Sequence, residues 1–392
     1  MISMKSSRSP RVLLIGFYGR RSFGDDLMVR ALAGFLKASW SAELSVVSDE
    51  AYFTPLIEAM GAKRVPRRLA AVISALRGCD ILIQGGGSVF HDSYVGSARL
   101  RYWKNLCMWL VVFALARLRG SKVLLLGAGV GPVHHRLTRM LCRLALSCAH
   151  GIMVRDSASF DTACSLGLGH VVDTGFDVAV LLAAEFTRRR RKRRLVIGVA
   201  PCSLEPFSQD ETLVAGYWTE LAEALGEFAR NAEAEIRLFG LCTGYRFPSD
   251  EATCRAMAGR LPDAVEWQLR LYPDTMTNAV AEFAECDVVV AARYHGLLAA
   301  FLAGSKLLAV TYNRKVGDLA RSLGLAEDCI MAADRLLTRE CWLSRLYRLQ
   351  SEKGQPRCPV GELAERTRSA LRHTLSRVRE PDLAPRCAQW DD

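Results

Sequence analysis

The sequence predicts two α/β domains, each a parallel sheet of the Rossmann-like kind, joined by a basic linker. Three observations carry this. Short β-branched or leucine-rich runs alternate with longer helical patterns along the chain, as in βα units around parallel sheets. The alternation stops at Arg188–Arg194, a run of arginines with one lysine, and then restarts. A like-charge run of that kind cannot be buried, so it reads as a linker. At 392 residues the chain also exceeds what one hydrophobic core organises.

In order, the first half offers strands at Val12–Ile15, Leu44–Val47, Ile81–Gln84, Val123–Leu126, Ile152–Val154 and Val171–Asp173. Between them lie helical patterns at Leu27–Lys37, Leu69–Arg77, Ala98–Arg119, Arg136–Cys148 and Ser157–Leu166. After the basic run, strands are expected at Leu195–Ala200, Ile236–Gly240, Val265–Gln268, Val288–Ala291 and Leu307–Val310. Helices are expected at Leu213–Asn231, Glu251–Arg260, Met276–Cys286, His295–Ala303 and Val316–Leu323. The domains are therefore set at 1–187 and 195–345, around a linker at 188–194. Residues 346–392 form a last helix, Leu363–Val378, and a loose tail containing Pro381 and Pro385. Two such domains facing each other place a cleft at the carboxyl ends of both sheets, where ligands of open α/β folds bind.

Composition narrows the function. A formal charge of +11 favours anionic partners. No nucleic-acid module is visible, so nucleic acid is not expected. Thirteen cysteines without a Cys-x-x-Cys pair argue for reduced, mostly buried thiols in a cytoplasmic protein, not a disulfide framework or zinc site. The longest apolar run, Leu106–Ala116, falls short of the ~20 residues a membrane span needs. The protein is expected to be soluble or at most peripheral. Trp103, Trp109 and Phe113, interleaved with Arg99, Arg101 and Lys104, suggest weak association with anionic membranes.

The strand ends hold the candidate site. Gly16, Gly19 and Gly24 suit a tight loop without dinucleotide-loop spacing or a Walker lysine. Asp25 and Asp26 stand where helix caps belong, and one of them suits deprotonation of a hydroxyl. Gly85-Gly86-Gly87-Ser88 offers bare backbone N–H groups. Arg155, at a strand end opening a helix, suits an anion or pairs with Asp156, with Ser157 or Ser159 as the cap. Most specific is Arg293-Tyr294-His295 after a buried strand, followed on the next strand by Tyr312-Asn313-Arg314-Lys315. Adjacent parallel strands would gather Arg293, His295, Tyr312 and Lys315 on one rim, as a seat for a small dianion beside a proton donor.

Taken in order, the Gly16–Asp26 loop, Gly85-Gly86-Gly87-Ser88, Gly127–Pro132, Arg155-Asp156-x-x-Ser159, Arg293-x-His295 and Tyr312-x-x-Lys315 resemble the polysaccharide pyruvyl transferases. The resemblance implies a glycosyltransferase-B-like pair of Rossmann domains and phosphoenolpyruvate as donor. It also implies an acceptor sugar of a cell-surface or exopolysaccharide, or its lipid-linked precursor, which receives a pyruvate ketal as phosphate leaves. That reaction needs no metal or redox cofactor. The resemblance links Arg293, His295 and Arg155 to the donor site. On this reading Arg293 and Arg155 clamp the anion and His295 donates a proton. Lys315 supports charge. Tyr312, Gly19, Gly86, Gly87 and Ser88 contact substrate, and Asp25 or Asp26 is the acceptor base. The sequence departs from the family at Ser22, where asparagine is usual, at Val178 for proline, and at Asn313 for aspartate. A nucleotide-sugar glycosyltransferase of the same fold and a non-catalytic family member remain as alternatives.

Overall fold

The structure is a computed structural model that describes residues 9–49, 51–92, 96–186, 194–205, 208–244, 249–276, 278–350 and 354–378. Of the expected linker only Arg194 falls among them, and Pro381 and Pro385 of the tail lie outside. Contacts divide the chain into two units. Met1–Gly19, Met28–Leu181 and Leu363–Asp392 form the first, and Arg20–Leu27 with Leu182–Glu362 the second.

Elements β1 (Arg11–Ile15), α1 (Phe23–Trp40), β2 (Glu43–Ser48), α2 (Thr54–Ala59), β3 (Lys63–Pro66), α3 (Leu69–Ala75), β4 (Ile81–Gly85), β5 (Ser88–Phe90) and α4 (Gly96–Leu118) come first. They are followed by β6 (Lys122–Val130), α5 (Arg136–Leu146), β7 (Gly151–Val154), α6 (Ser157–Ser165) and β8 (Val172–Thr174). The strands of this unit pair in parallel in the order β3-β2-β1-β4-β6-β7-β8, with β5 added beside β6. The inner strands β4 and β7 are buried along their whole length, and β6 at all but its first residue, as a sheet covered on both faces requires. The sequence pattern misses β3, because its Lys-Arg-Val-Pro carries one apolar position and a proline tolerable only at an edge.

The second unit runs β9 (Val196–Ala200), α7 (Glu211–Ala232), β10 (Glu235–Gly240), α8 (Asp250–Ala258), β11 (Trp267–Leu271), α9 (Ala279–Ala284) and β12 (Val288–Ala291). It continues with α10 (Tyr294–Leu302), β13 (Lys306–Thr311), α11 (Arg314–Ser322), β14 (Ile330–Ala332) and α12 (Arg339–Gln350). Its parallel order is β11-β10-β9-β12-β13-β14. In both sheets the order reverses beside the first strand, between β1 and β4 and between β9 and β12. Such a switch point opens a crevice at the carboxyl strand ends.

Four sequence expectations shift. Helix α1 starts at Phe23, ahead of Leu27, so Asp25 and Asp26 lie inside its first turn instead of capping it. β11 starts two residues later than the expected Val265–Gln268 and runs on to Leu271, partly exposed at the sheet edge. α12 was not expected. The last helix, α13 (Val360–Ser376), is tied to the first unit: Asp173, on β8, accepts from Thr374 Oγ1 (2.6 Å) and Arg377 Nη2 (3.1 Å), and His373 Nδ1 lies 2.7 Å away. Among the described residues Cys107, Cys164 and Cys341 are exposed; the first two, expected to be buried, occupy the outward faces of α4 and α6.

Candidate active site

The switch point of the second sheet sets the geometry. Ala291 of β12 pairs with Ala200 of β9, so the residues that follow each strand emerge side by side. Arg293 is one, at the N-cap position of α10, and the buried Cys202 is the other. β13 pairs with β12 on its other side and brings Tyr312, Asn313 and Lys315 to the same end. Asn313 caps α11, its side chain accepting from Val316 N at 3.2 Å. Asparagine caps as well as aspartate, so this departure from the family pattern leaves the local fold intact. Lys315 is exposed in the first turn of α11, yet its charge still acts on the Cys202 thiol.

Arg293 is not a loose cation. Its Nε lies 3.0 Å from both oxygens of Asp250, and Nη2 also donates to Oδ1. Asp250 is fully buried at the start of α8 and accepts a further bond from Cys242 N at 2.8 Å. Burial disfavours the guanidinium's charge, but the Asp250 carboxylate outweighs it and holds the Arg293 pKa well above its ordinary value. For Asp250 burial raises the pKa and Arg293 opposes it. The fork that the sequence offers to a ligand is thus turned into the protein. What Arg293 presents outward is its remaining edge, on a side chain 23% exposed. Tyr312 stands in the same field. Burial pushes its phenol up to about 12, against the pull of Arg293, so it is a protonated donor near neutral pH.

His295, in the first turn of α10, packs its ring edge-on against Tyr294, with centroids 5.1 Å apart. Its other neighbour comes from far away in sequence. A Cβ on Gly24 would lie 1.9 Å from His295 Nδ1 and 2.2 Å from Cγ. Only a glycine fits there. The loop before α1 is seated to make this contact. Ser22 bridges Cys242 in antiparallel fashion, Phe23 N donates to Leu241 O (3.0 Å), and Thr243 N donates to Arg21 O (3.1 Å). The Phe23 ring packs against Tyr272 and Phe283.

The two aspartates in the first turn of α1 part ways. Asp26 is 1% exposed and accepts from Tyr272 Oη at 2.9 Å. Asp25 is partly exposed and accepts from Ser22 Oγ at 2.5 Å. Serine at position 22, where the family pattern has asparagine, therefore orients Asp25.

The remaining candidates belong to the first unit and form their own cluster. Arg155 is 5% exposed. Its Nη2 donates to Ser88 Oγ at 2.9 Å, and the carboxylates of Asp156 and Asp177 lie 3.5 Å away. The cap of α6 is Asp156, which accepts from Ser159 N at 2.7 Å, so neither Ser157 nor Ser159 fills that role. Ser159 Oγ instead accepts from Val130 N. The expected bare N–H groups of the glycine run are partly used: Gly86 N donates to Leu126 O at 2.8 Å. Gly86 and Gly87 both need φ near +60 to +75° (63° and 75°), which explains the glycines without a ligand. Gly19, at φ 68°, packs over Ser48 and Phe53.

Asp250, Tyr272 and Asp177 escape sequence reading. Asp250 follows a capping serine and reads as an ordinary first-turn acid. Its bond to Arg293 exists only once α8 and β12 are folded.

The sequence profile of the family described as polysaccharide pyruvyl transferase matches residues 23–314. The chain belongs to that family. The match runs from Phe23 to Arg314, and so takes in Gly24, Asp25, Asp26, Asp250, Tyr272, Arg293, His295 and Tyr312, but not Ser22 or Lys315. No curated protein matches the chain. Among solved structures, UDP-GlcNAc 2-epimerase from Methanocaldococcus jannaschii superposes with a TM-score of 0.62 at 9% identity, covering 94% of this chain and 99% of that one. The Neisseria meningitidis UDP-GlcNAc 2-epimerase bound to UDP-GlcNAc gives 0.60 at 10% identity, covering 93% and 100%. The Anabaena protein HepE in complex with UDP gives 0.53 at 13% identity, covering 94% and 97%. These likenesses establish the fold, that of the glycosyltransferase-B type. No described helix is long and apolar enough to cross a membrane.

Proposed function

We propose that this pyruvyl transferase family member transfers pyruvate from phosphoenolpyruvate onto two hydroxyls of one sugar in a glycan, closing a pyruvate ketal and releasing phosphate. The observation that carries this reading is the placement of His295 beside an anchored Arg293 at one helix N-terminus, pressed by Gly24. An arginine locked by a buried carboxylate is a fixed positive edge, and helix N–H groups add to it, which suits a small dianion more than an extended nucleotide.

The steps follow. Protonation of the donor's methylene carbon makes the carbon bearing the phosphate electrophilic. One sugar hydroxyl adds there and loses its proton to a base, phosphate departs, and the second hydroxyl adds to complete the ketal. Two hydroxyl protons are thus balanced by one new methyl hydrogen and one proton on phosphate. His295 supplies the first proton, Arg293 and Lys315 hold the anion, Tyr312 donates a hydrogen bond, and Asp25 takes the hydroxyl proton. Asp25 suits the base role better than Asp26, whose carboxylate is buried against Tyr272.

The test follows phosphate release from phosphoenolpyruvate across acceptor glycans with wild-type protein and His295→Gln. Turnover should fall by roughly 100-fold or more in the variant, with a smaller change in donor affinity. Unimpaired turnover in a well-folded variant removes His295 from the mechanism. The second reading, a nucleotide-sugar transferase, is favoured by the structural likeness to UDP-bound proteins. Thermal stabilisation by uridine diphosphate sugars, with none by phosphoenolpyruvate, would decide for it.

A further inference from the structure

From Asp92 to Asp156 the sequence contains no acidic residue, while it carries ten lysines or arginines. This stretch holds both α4 and α5, and the two helices lie side by side. Trp103 Nε1 donates to Thr138 Oγ1 at 2.9 Å, and the Trp103 ring stacks obliquely on His135 at 5.0 Å. Both bury residues in one core: Leu106 and Phe113 from α4, and Leu141 and Leu146 from α5. Their opposite faces therefore point outward together.

Those outward faces carry large apolar side chains where a soluble helix is usually polar. Leu100, Met108, Val111 and Leu118 of α4 are 63%, 41%, 49% and 83% exposed, and recur at helical spacing on one side. Met140 and Leu144 of α5 are 50% and 47% exposed. Cations lie among them: Arg101, Lys104 and Arg117 on α4, and Arg136, Arg139 and Arg143 on α5, all exposed. The aromatic residues that the sequence suggested for membrane contact are not part of this face. Phe113 is fully buried, and Trp103 and Trp109 are partly buried against the core.

We infer that the α4–α5 face is a docking surface for an anionic lipid bilayer, with Met108, Val111 and their neighbours entering the headgroup boundary. Charge complementarity selects this occupant. A second copy of the chain would oppose cations to cations across an acid-free surface, whereas anionic headgroups neutralise them and the acyl boundary takes up the apolar side chains. The inference is independent of the reaction assigned above. If the acceptor glycan is lipid-linked, the surface keeps the enzyme where that substrate lies.

The experiment is co-sedimentation of the full chain with phosphatidylcholine vesicles, with and without phosphatidylglycerol, at low and high salt. The wild type should bind only the anionic vesicles, and salt should weaken binding. The double variant Met108→Glu/Val111→Glu, at exposed positions, should keep the wild-type melting temperature and lose binding by about tenfold or more. A second variant, Arg139→Ser/Arg143→Ser, should lower binding and its salt dependence together. Equal binding by wild type and the glutamate variant would overturn the inference, since the basic run at 188–194 would then account for it. So would absence of binding, or a dimer in solution that the glutamate variant dissolves.

Discussion

Alanine in place of Gly24 is the sharpest perturbation the candidate site offers. Its added carbon would lie 1.9 Å from His295 Nδ1, whereas ordinary contact begins at 3.4 Å. Either the imidazole or the loop must retreat by about 1.5 Å, and a misplacement of about 1 Å at a reacting group costs roughly 100-fold in rate. Stability responds to two opposed effects. Gly24 sits within α1, where alanine gains up to about 1 kcal/mol over glycine. Overpacking costs about 1–3 kcal/mol. The net expectation is a loss of about 1–2 kcal/mol, or a fall in melting temperature of roughly 2–8 °C for a unit of this size. Phosphate release from phosphoenolpyruvate, measured beside thermal melting, reads both. The contact is specific to His295, so adding His295→Gln to Gly24→Ala should cost little more turnover than either change alone. Wild-type turnover with a raised melting temperature in Gly24→Ala would show that the imidazole is free to move aside, and the reasoning would fail.

Other outcomes follow from the same geometry. Asp250→Asn strips the charge from a fully buried partner of Arg293, and should destabilise the protein by about 3–5 kcal/mol, as breaking one side of a buried pair does; an unchanged denaturant midpoint would contradict the anchoring role. Asp25→Asn should lower turnover while leaving donor affinity in calorimetry nearly intact, whereas Asp26→Asn should mainly lower stability through the Tyr272 bond; equal kinetics in both variants would place the base elsewhere. His150 gives the pH test. Burial, with the charges of Arg117 and Lys122, lowers its pKa from 6.5 to about 4, so below pH 6.5 the unfolded chain takes up a proton that the folded one does not. Stability should therefore fall as pH drops from 6.5 towards 4, by at most about 3 kcal/mol. His150→Gln, which keeps an acceptor for Val123 N, should flatten that limb in urea titrations near both ends of the window.

The central strands were readable because parallel strands buried on both faces are short unbroken apolar runs, as in Val288–Ala291 and Leu307–Val310. Once β12 and β13 are neighbours, Arg293, His295 and Tyr312 must share one end, so that much of the site was legible too. The partners that give these residues their properties were not. Gly24 meets His295, and Asp250 meets Arg293, across long separations in sequence, and neither pairing leaves a periodic trace. Nor does a motif reveal which way a guanidinium turns. The double-donor edge of Arg293 that suggests a ligand faces Asp250. The aspartates fall inside α1 instead of at its cap because the helix already starts at Phe23, whose ring packs on Tyr272 and Phe283, two residues far away in sequence.

The return of α13 to the first unit gives this chain an unusual order of completion. The strands from β1 to β8 leave the ribosome first, yet Asp173 on β8 waits for Thr374 and Arg377, and Gly151 and Gly175 are covered by Thr374 and Ala370. At ~5–20 residues per second, the stretch between Leu181 and Leu363 takes roughly 10–40 s to synthesise. Through that interval the first unit's sheet stands unfinished, while the later unit draws on Arg20–Leu27, a segment made ahead of nearly all of that sheet. Neither unit is a contiguous stretch of chain, so a cut at the basic run leaves the first without its closing helix and the second without the loop that touches His295.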